Sequence, residues 1–157
     1  MGSGRSGTSM VSGTLAKAGY FMGNNLLDAR DANPKGFFED REINQINEDL
    51  LAPVVPKRLN LPGSTRLKLP VSALFRHHPI NRQRWLARIP LKTKIPSSPE
   101  INGRINKIMH LEPLEPYCLK DPRFSYTLPL WKPYLKENTD FVCVFRDPAS
   151  TVSSILK

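Results

Sequence analysis

Apolar positions recur at helical spacing in several stretches of the chain and run together in two short ones. The clearest stripe is Ile43, Ile46, Asn47 and Leu50. It marks one inward face of a helix that Glu39 or Asp40 can start and that should end before Pro53. Ser98-Pro99-Glu100 supplies a cap, a proline at the first helical position and an acid in the first turn. Ile101, Ile105 and Ile108 carry that second stripe to about His110. An earlier helix is expected over about residues 8–18, closed by the glycine-bounded patch Gly19 to Gly23, and Asn33-Pro34-Lys35-Gly36 is turn chemistry. Asn81 to Ile89 could form a helix with Trp85 and Leu86 inward. Tyr126 to Leu135, with Leu128, Leu130 and Trp131, reads as a short packing helix.

The two continuous runs are Tyr117-Cys118-Leu119 and Phe141-Val142-Cys143-Val144-Phe145. Short apolar runs of this kind, the second rich in β-branched and aromatic residues, predict buried parallel strands. Helices and strands then follow in the order helix, helix, helix, strand, helix, strand, helix. That order predicts an α/β fold, a three-layer sandwich with a parallel sheet.

Composition narrows the functional classes. With 157 residues and 39% hydrophobic content, residues 1–157 are expected to be a single domain or part of one. A formal charge of +9 suits an anionic ligand, and would equally suit nucleic acid or an acidic membrane surface. No run of eighteen apolar residues is present and no basic-then-apolar leader precedes the first loop, so no membrane span or secretory signal is expected, and the location is expected to be cytoplasmic. Cys118 and Cys143 each lie in an apolar run and are expected to be reduced and buried. His77 and His78 are adjacent and point in different directions, with no Cys or Asp near them, so no metal site is expected.

Candidate chemistry starts at the N-terminus. Gly2-Ser3-Gly4-Arg5-Ser6-Gly7-Thr8-Ser9 reads as a Gly/Ser-rich loop entering a helix. Glycines let backbone approach a ligand closely, and the unpaired N–H groups of a helix start attract anions. Arg5 adds a forked cation suited to phosphate or sulfate oxygens, and Thr8 and Ser9 add hydroxyls. The lysine that a nucleotide-triphosphate loop carries after its last glycine is absent, since Gly7 is followed by Thr8-Ser9. An ordinary capped helix behind a flexible terminus is the alternative.

A second motif stands near the other end. The run 141–145 leads into Arg146-Asp147-Pro148-Ala149-Ser150 and a helix-like stretch from Thr151 to Leu156, with Ser154 eight residues after Arg146. With these two motifs in this order the chain resembles the sulfotransferase superfamily that uses 3′-phosphoadenosine-5′-phosphosulfate, in particular its bacterial members. The resemblance implies the P-loop-like sulfotransferase fold. It implies that Arg5, Ser6, Gly7, Thr8 and Ser9 hold the 5′-phosphosulfate, and that Arg146 and Ser154 hold the 3′-phosphate. Lys120-Asp121-Pro122 after the strand 117–119 resembles a pattern of bacterial and tyrosylprotein sulfotransferases, which implies that Lys120 faces the sulfuryl group. A surface turn with Lys120 bridged to Asp121 is the alternative. Gly36-Phe37-Phe38-Glu39 likewise resembles a bacterial sulfotransferase pattern. Glu39, at the mouth of a helix beside two aromatics that could shed water, is a candidate general base; the alternative is a helix cap. Residues 53–98, basic, proline-rich and without a clear period, are expected as a variable, acceptor-facing segment.

Because only Met1 precedes Gly2 and the chain stops at Lys157, the resemblance further implies that the first strand and a late Gly/Lys loop are missing. The implied reaction is in-line transfer of a sulfuryl group to a hydroxyl or amine, without metal. Glu39 would take the proton, and Arg5 and Lys120 would neutralise developing charge, preorganised donors of this kind being worth about 3–4 kcal/mol each. Two other classes remain open. A kinase-like phosphoryl transferase would need the absent loop lysine and a Mg²⁺ carboxylate. A non-enzymatic polyanion or nucleic-acid-binding module would need interleaved basic and aromatic residues, so no nucleic-acid partner is expected.

Overall fold

A computed structural model describes residues 6–30, 33–54, 86, 89–90, 92–111 and 115–156. Five α-helices are present among them: α1 (Thr8–Lys17), α2 (Arg41–Leu51), α3 (Pro99–Leu111), α4 (Phe124–Trp131) and α5 (Pro148–Leu156). A 3-10 turn, Lys132–Tyr134, continues α4. Of the helix expected over 81–89 only residues 86 and 89 are described, and the pair His77–His78 lies outside the described residues.

Helix starts follow the capping chemistry. Asp40 is the N-cap of α2, and its Oδ1 accepts from the amides of Glu42 at 2.8 Å and Ile43 at 3.3 Å. Ser98 Oγ accepts from the Ile101 amide at 3.2 Å at the start of α3. Asp147 caps α5 by accepting from the Ser150 amide at 2.8 Å, and that amide holds the Asp147 carboxyl below its ordinary range. At the turn of residues 33–36, the Gly36 amide donates to the Asn33 carbonyl at 3.0 Å.

The core is helix on helix. Helix α2 packs against α3 and α4, and the 3-10 turn closes on α3 and α4. Ile43, Ile46 and Leu50 of α2 meet Ile105 and Met109 of α3 and Phe124 and Trp131 of α4. The Phe124 and Trp131 rings stand edge to face, centroids 5.4 Å apart. Ile46, Leu50, Ile105 and Trp131 are fully buried, each such side chain being worth roughly 1.5–3 kcal/mol of transfer free energy.

The expected parallel sheet is not what the described residues form. The segment 117–119 makes one parallel bridge, Tyr117 to Phe21: the Phe21 amide donates to the Pro116 carbonyl and the Cys118 amide to the Phe21 carbonyl, both at 2.8 Å. The segment 141–145 belongs to no strand among the described residues; Phe141, Val142 and Phe145 are exposed, with the Lys132 ammonium 5.9 Å from the Phe141 ring centroid. A ladder needs a second strand at ~4.8 Å, and none is formed among the described residues. The same geometry corrects the cysteines. Cys118 is half-buried, its thiol pushed up by burial, whereas Cys143 is exposed. No helix among the described residues is long and apolar enough to cross a membrane.

Candidate functional site

Three separated segments meet at Lys120. It follows the bridged segment 117–119, and its side chain is only 10% exposed. The Lys120 ammonium forms an ion pair with Glu39 Oε1, donates to the Phe37 carbonyl at 3.1 Å and lies 3.4 Å from Ser9 Oγ. Ser9 belongs to the first turn of α1, and its Oγ also accepts from Asn33 Nδ2 at 3.2 Å. Glu39 Oε2 accepts from Asn44 Nδ2 at 3.1 Å. Every partner of the Glu39 carboxylate named here is a donor.

This arrangement separates readings that the residue pattern left open. The cap of α2 is Asp40 and not Glu39, whose side chain is buried and turned to Lys120. Lys120 pairs with Glu39 and not with Asp121. Asp121 instead takes Arg123 Nη1 and the Arg123 amide, both at 2.8 Å, on Oδ1.

Local backbone sets the direction of Glu39. Phe38 lies in the left-handed region at φ 55°, which costs a bulky residue roughly 1–3 kcal/mol and persists where its surroundings fix it. Its ring rests on Gly13 in the middle of α1, so close that a Cβ at Gly13 would lie 2.9 Å from Phe38 Cε2. Antiparallel contact from the preceding loop holds the other side, the Leu27 amide donating to the Glu39 carbonyl at 2.8 Å.

The start of α1 is shaped by its glycine. Gly7 is the N-cap with φ 98°, a left-handed conformation that favours glycine. No side chain caps the helix and its first turn carries no acid. Ser6, Thr8 and Ser12 are buried there. A groove of about 670 Å³ opens beside it, walled by Thr8, Val11 and Ser12 of α1, by residues 116–120, and by Phe141, Val142 and Val144 opposite. Lys120 lines this groove; Glu39 does not.

The remaining expected site residues are placed less closely. Arg5 lies outside the described residues. Arg146 is exposed, two residues beyond Val144 and next to the α5 cap. Ser154 falls within α5, with its side chain outside the described atoms.

A second buried polar cluster adjoins the first. Arg123, fully buried, donates through Nε to Glu48 Oε1 at 2.6 Å and through Nη1 to Asp121 Oδ1, and reaches Asn44 Oδ1 at 3.4 Å. Burial alone would lower the Arg123 pKa, but the carboxylates of Asp121 and Glu48 outweigh it and raise it. Burial pushes the Asp121 carboxyl up, and Arg123 draws it back only in part. Asn44, Glu48 and Arg123 were not among the expected site residues. The available signal was asparagine on the inward face of α2, a buried amide that must find partners.

Among the described residues no group of three His, Cys, Asp or Glu could hold a metal ion. No family model, no curated protein and no solved structure matches the chain.

Proposed function

We propose that this chain is a sulfotransferase domain that moves a sulfuryl group from 3′-phosphoadenosine-5′-phosphosulfate to a hydroxyl or amine acceptor. The observation that carries the proposal is the convergence of Ser9, Glu39 and Lys120, drawn from three separate motif-bearing segments into one hydrogen-bonded cluster. The groove beside it has the volume of ligand sites, roughly 300–1,000 Å³, and Thr8, Ser12 and Lys120 supply polar groups on its wall.

In this mechanism the donor's phosphosulfate lies along the start of α1. There the Ser6–Ser9 segment and Arg5 bind its oxygens. Lys120, the member of the cluster that faces the groove, meets the transferring sulfuryl group. The acceptor oxygen or nitrogen forms a bond to sulfur as the bond from sulfur to the 5′-phosphate oxygen breaks. The electron pair leaves with the phosphate, and Glu39 takes the acceptor's proton. Charge that develops on the leaving oxygen is met by Lys120, held before reaction by Glu39 and the Phe37 carbonyl. Arg146 and Ser154 are assigned to the donor's 3′-phosphate.

Calorimetry with adenosine 3′,5′-bisphosphate, ADP and AMP tests the assignment. The bisphosphate is expected to bind most tightly, and Arg146→Ala should erase that preference at a cost of about 1.5–3 kcal/mol, the worth of one charged hydrogen bond. Equal affinity for all three nucleotides would remove the basis for a 3′-phosphate site.

A further inference from the structure

Glu39 is the proposed base, yet one of its two oxygens is held by a residue that no motif marks. Asn44 sits on α2, one turn past the Asp40 cap, and is 2% exposed. Its side-chain amide bridges two charged clusters. Nδ2 donates to Glu39 Oε2 at 3.1 Å, and Oδ1 faces Arg123 Nη1 at 3.4 Å. The orientation is dictated from both ends: guanidinium only donates, and carboxylate only accepts. Arg123 is itself clamped by Glu48 and Asp121, so the amide is anchored to a rigid, fully buried partner.

From this geometry we infer that Asn44 is a positioning residue for Glu39. It locks the carboxylate rotamer so that Lys120 occupies Oε1 while Oε2 keeps its direction. The inference rests on the reading of Glu39 as the base. Side-chain type matters here. Aspartate would set a second carboxylate against Glu39 and replace the donor by an acceptor, at nearly unchanged volume. Glutamine carries the same amide one methylene too far. Only a short amide spans the gap with a donor at one end and an acceptor at the other.

The experiment has two arms, both on the full chain. In the first, urea unfolding is followed for the wild type, Asn44→Ala, Glu39→Gln and the double variant. The midpoint loss of the double variant should be smaller than the sum of the single losses, since both remove one interaction. Strict additivity would overturn the inference whatever the chain catalyses. In the second arm, transfer from 3′-phosphoadenosine-5′-phosphosulfate is assayed on a panel of hydroxyl acceptors. Asn44→Asp should lower kcat at least tenfold, leave the donor KM within about twofold, and move the acidic limb of the pH–rate profile. If Asn44→Asp does not fold, Asn44→Ser, which removes the amide from the same site, should show the same split. A wild-type kcat and pH profile in a folded variant would overturn the positioning role. A wild type that binds no nucleotide and transfers nothing would instead overturn the sulfotransferase reading, while the first arm still decides whether Asn44 acts on Glu39.

Discussion

Asn47 on α2 and Asp121 at the start of the α4 segment, 74 residues apart, are joined by a buried hydrogen bond of 2.9 Å from Nδ2 to Oδ2. The same asparagine uses its carbonyl oxygen to accept from Thr127 Oγ1 at 2.8 Å and Trp131 Nε1 at 2.9 Å. One fully buried side chain therefore satisfies three others and staples α2 to α4. Asn47→Leu keeps the size and leaves Asp121 Oδ2 and Trp131 Nε1 buried without it, while Thr127 Oγ1 can still donate to the Arg123 carbonyl at 3.1 Å. At about 1–3 kcal/mol for each orphaned group, the variant should lose at least about 2 kcal/mol. Urea unfolding monitored by Trp131 fluorescence measures it, and a loss below about 1 kcal/mol would show that water replaces the amide.

Arg123→Met should be more damaging and should acquire a pH dependence of defined sign. Removing the guanidinium leaves the carboxylates of Asp121 and Glu48 without the cation that pairs them, and breaking a buried pair this way costs roughly 3–5 kcal/mol. Burial already holds the Asp121 pKa above its ordinary 3.8. A carboxyl raised in the folded state binds its proton more readily folded than unfolded. Its stabilising contribution is full below the unfolded pKa and is lost as pH rises through the folded one. Without Arg123 the rise is larger, so the stability gap between variant and wild type should narrow as pH falls from about 7 to about 5. A gap that widens on acidification would contradict this account of Asp121.

Glu39→Gln tests the base. The amide keeps the shape of the side chain, and one of its ends can still accept from Lys120. Binding of adenosine 3′,5′-bisphosphate should stay within a few-fold of wild type, while transfer falls by about 10²–10⁴-fold, the usual worth of a positioned general base. A single-turnover assay with labelled donor reads the chemical step directly. Retained activity would pass the proton-accepting role to another group.

The helical half of this molecule was legible because its signals are local. The cap Asp40, the Ser98-Pro99-Glu100 start and the isoleucine stripes each act within one or two turns, and α2 and α3 form where these place them. Strand identity is not local in that sense. The runs 117–119 and 141–145 have strand composition, but a strand exists only when another segment lies beside it, and composition does not carry that information. The candidate site divides along the same line. Lys120, Glu39 and Ser9 could be singled out because each sits in a recognisable short pattern. The partners Asn44 and Glu48 look like ordinary helix residues until the fold brings them against Glu39 and Arg123. Asn47, on the inward stripe, was the one legible hint that the core between α2 and α4 is partly polar.

The packing of Phe38 on Gly13 yields a prediction in which two familiar effects oppose each other. Glycine inside a helix is less favourable than alanine by about 1 kcal/mol, so Gly13→Ala in α1 would ordinarily stabilise. Here the added Cβ would stand 2.9 Å from Phe38 Cε2 and 3.0 Å from Cζ. The ring is rigid and its own backbone is held in the left-handed region, so relief requires moving the 37–39 segment. Overpacking of this kind costs about 1–3 kcal/mol, more than the propensity gain, and Gly13→Ala should be destabilising by about 1 kcal/mol. In a Phe38→Ala background the obstacle is gone, and the same Gly13→Ala change should stabilise by about 0.5–1 kcal/mol. Because Phe38 adjoins Glu39, the single Gly13→Ala variant should also lose transfer rate out of proportion to nucleotide affinity, a small displacement at the base being costly to chemistry. Thermal melts of the four proteins read the sign reversal. Stabilisation by Gly13→Ala in both backgrounds would mean that the ring moves aside without strain, and that the α1–Phe38 contact does not set the direction of Glu39.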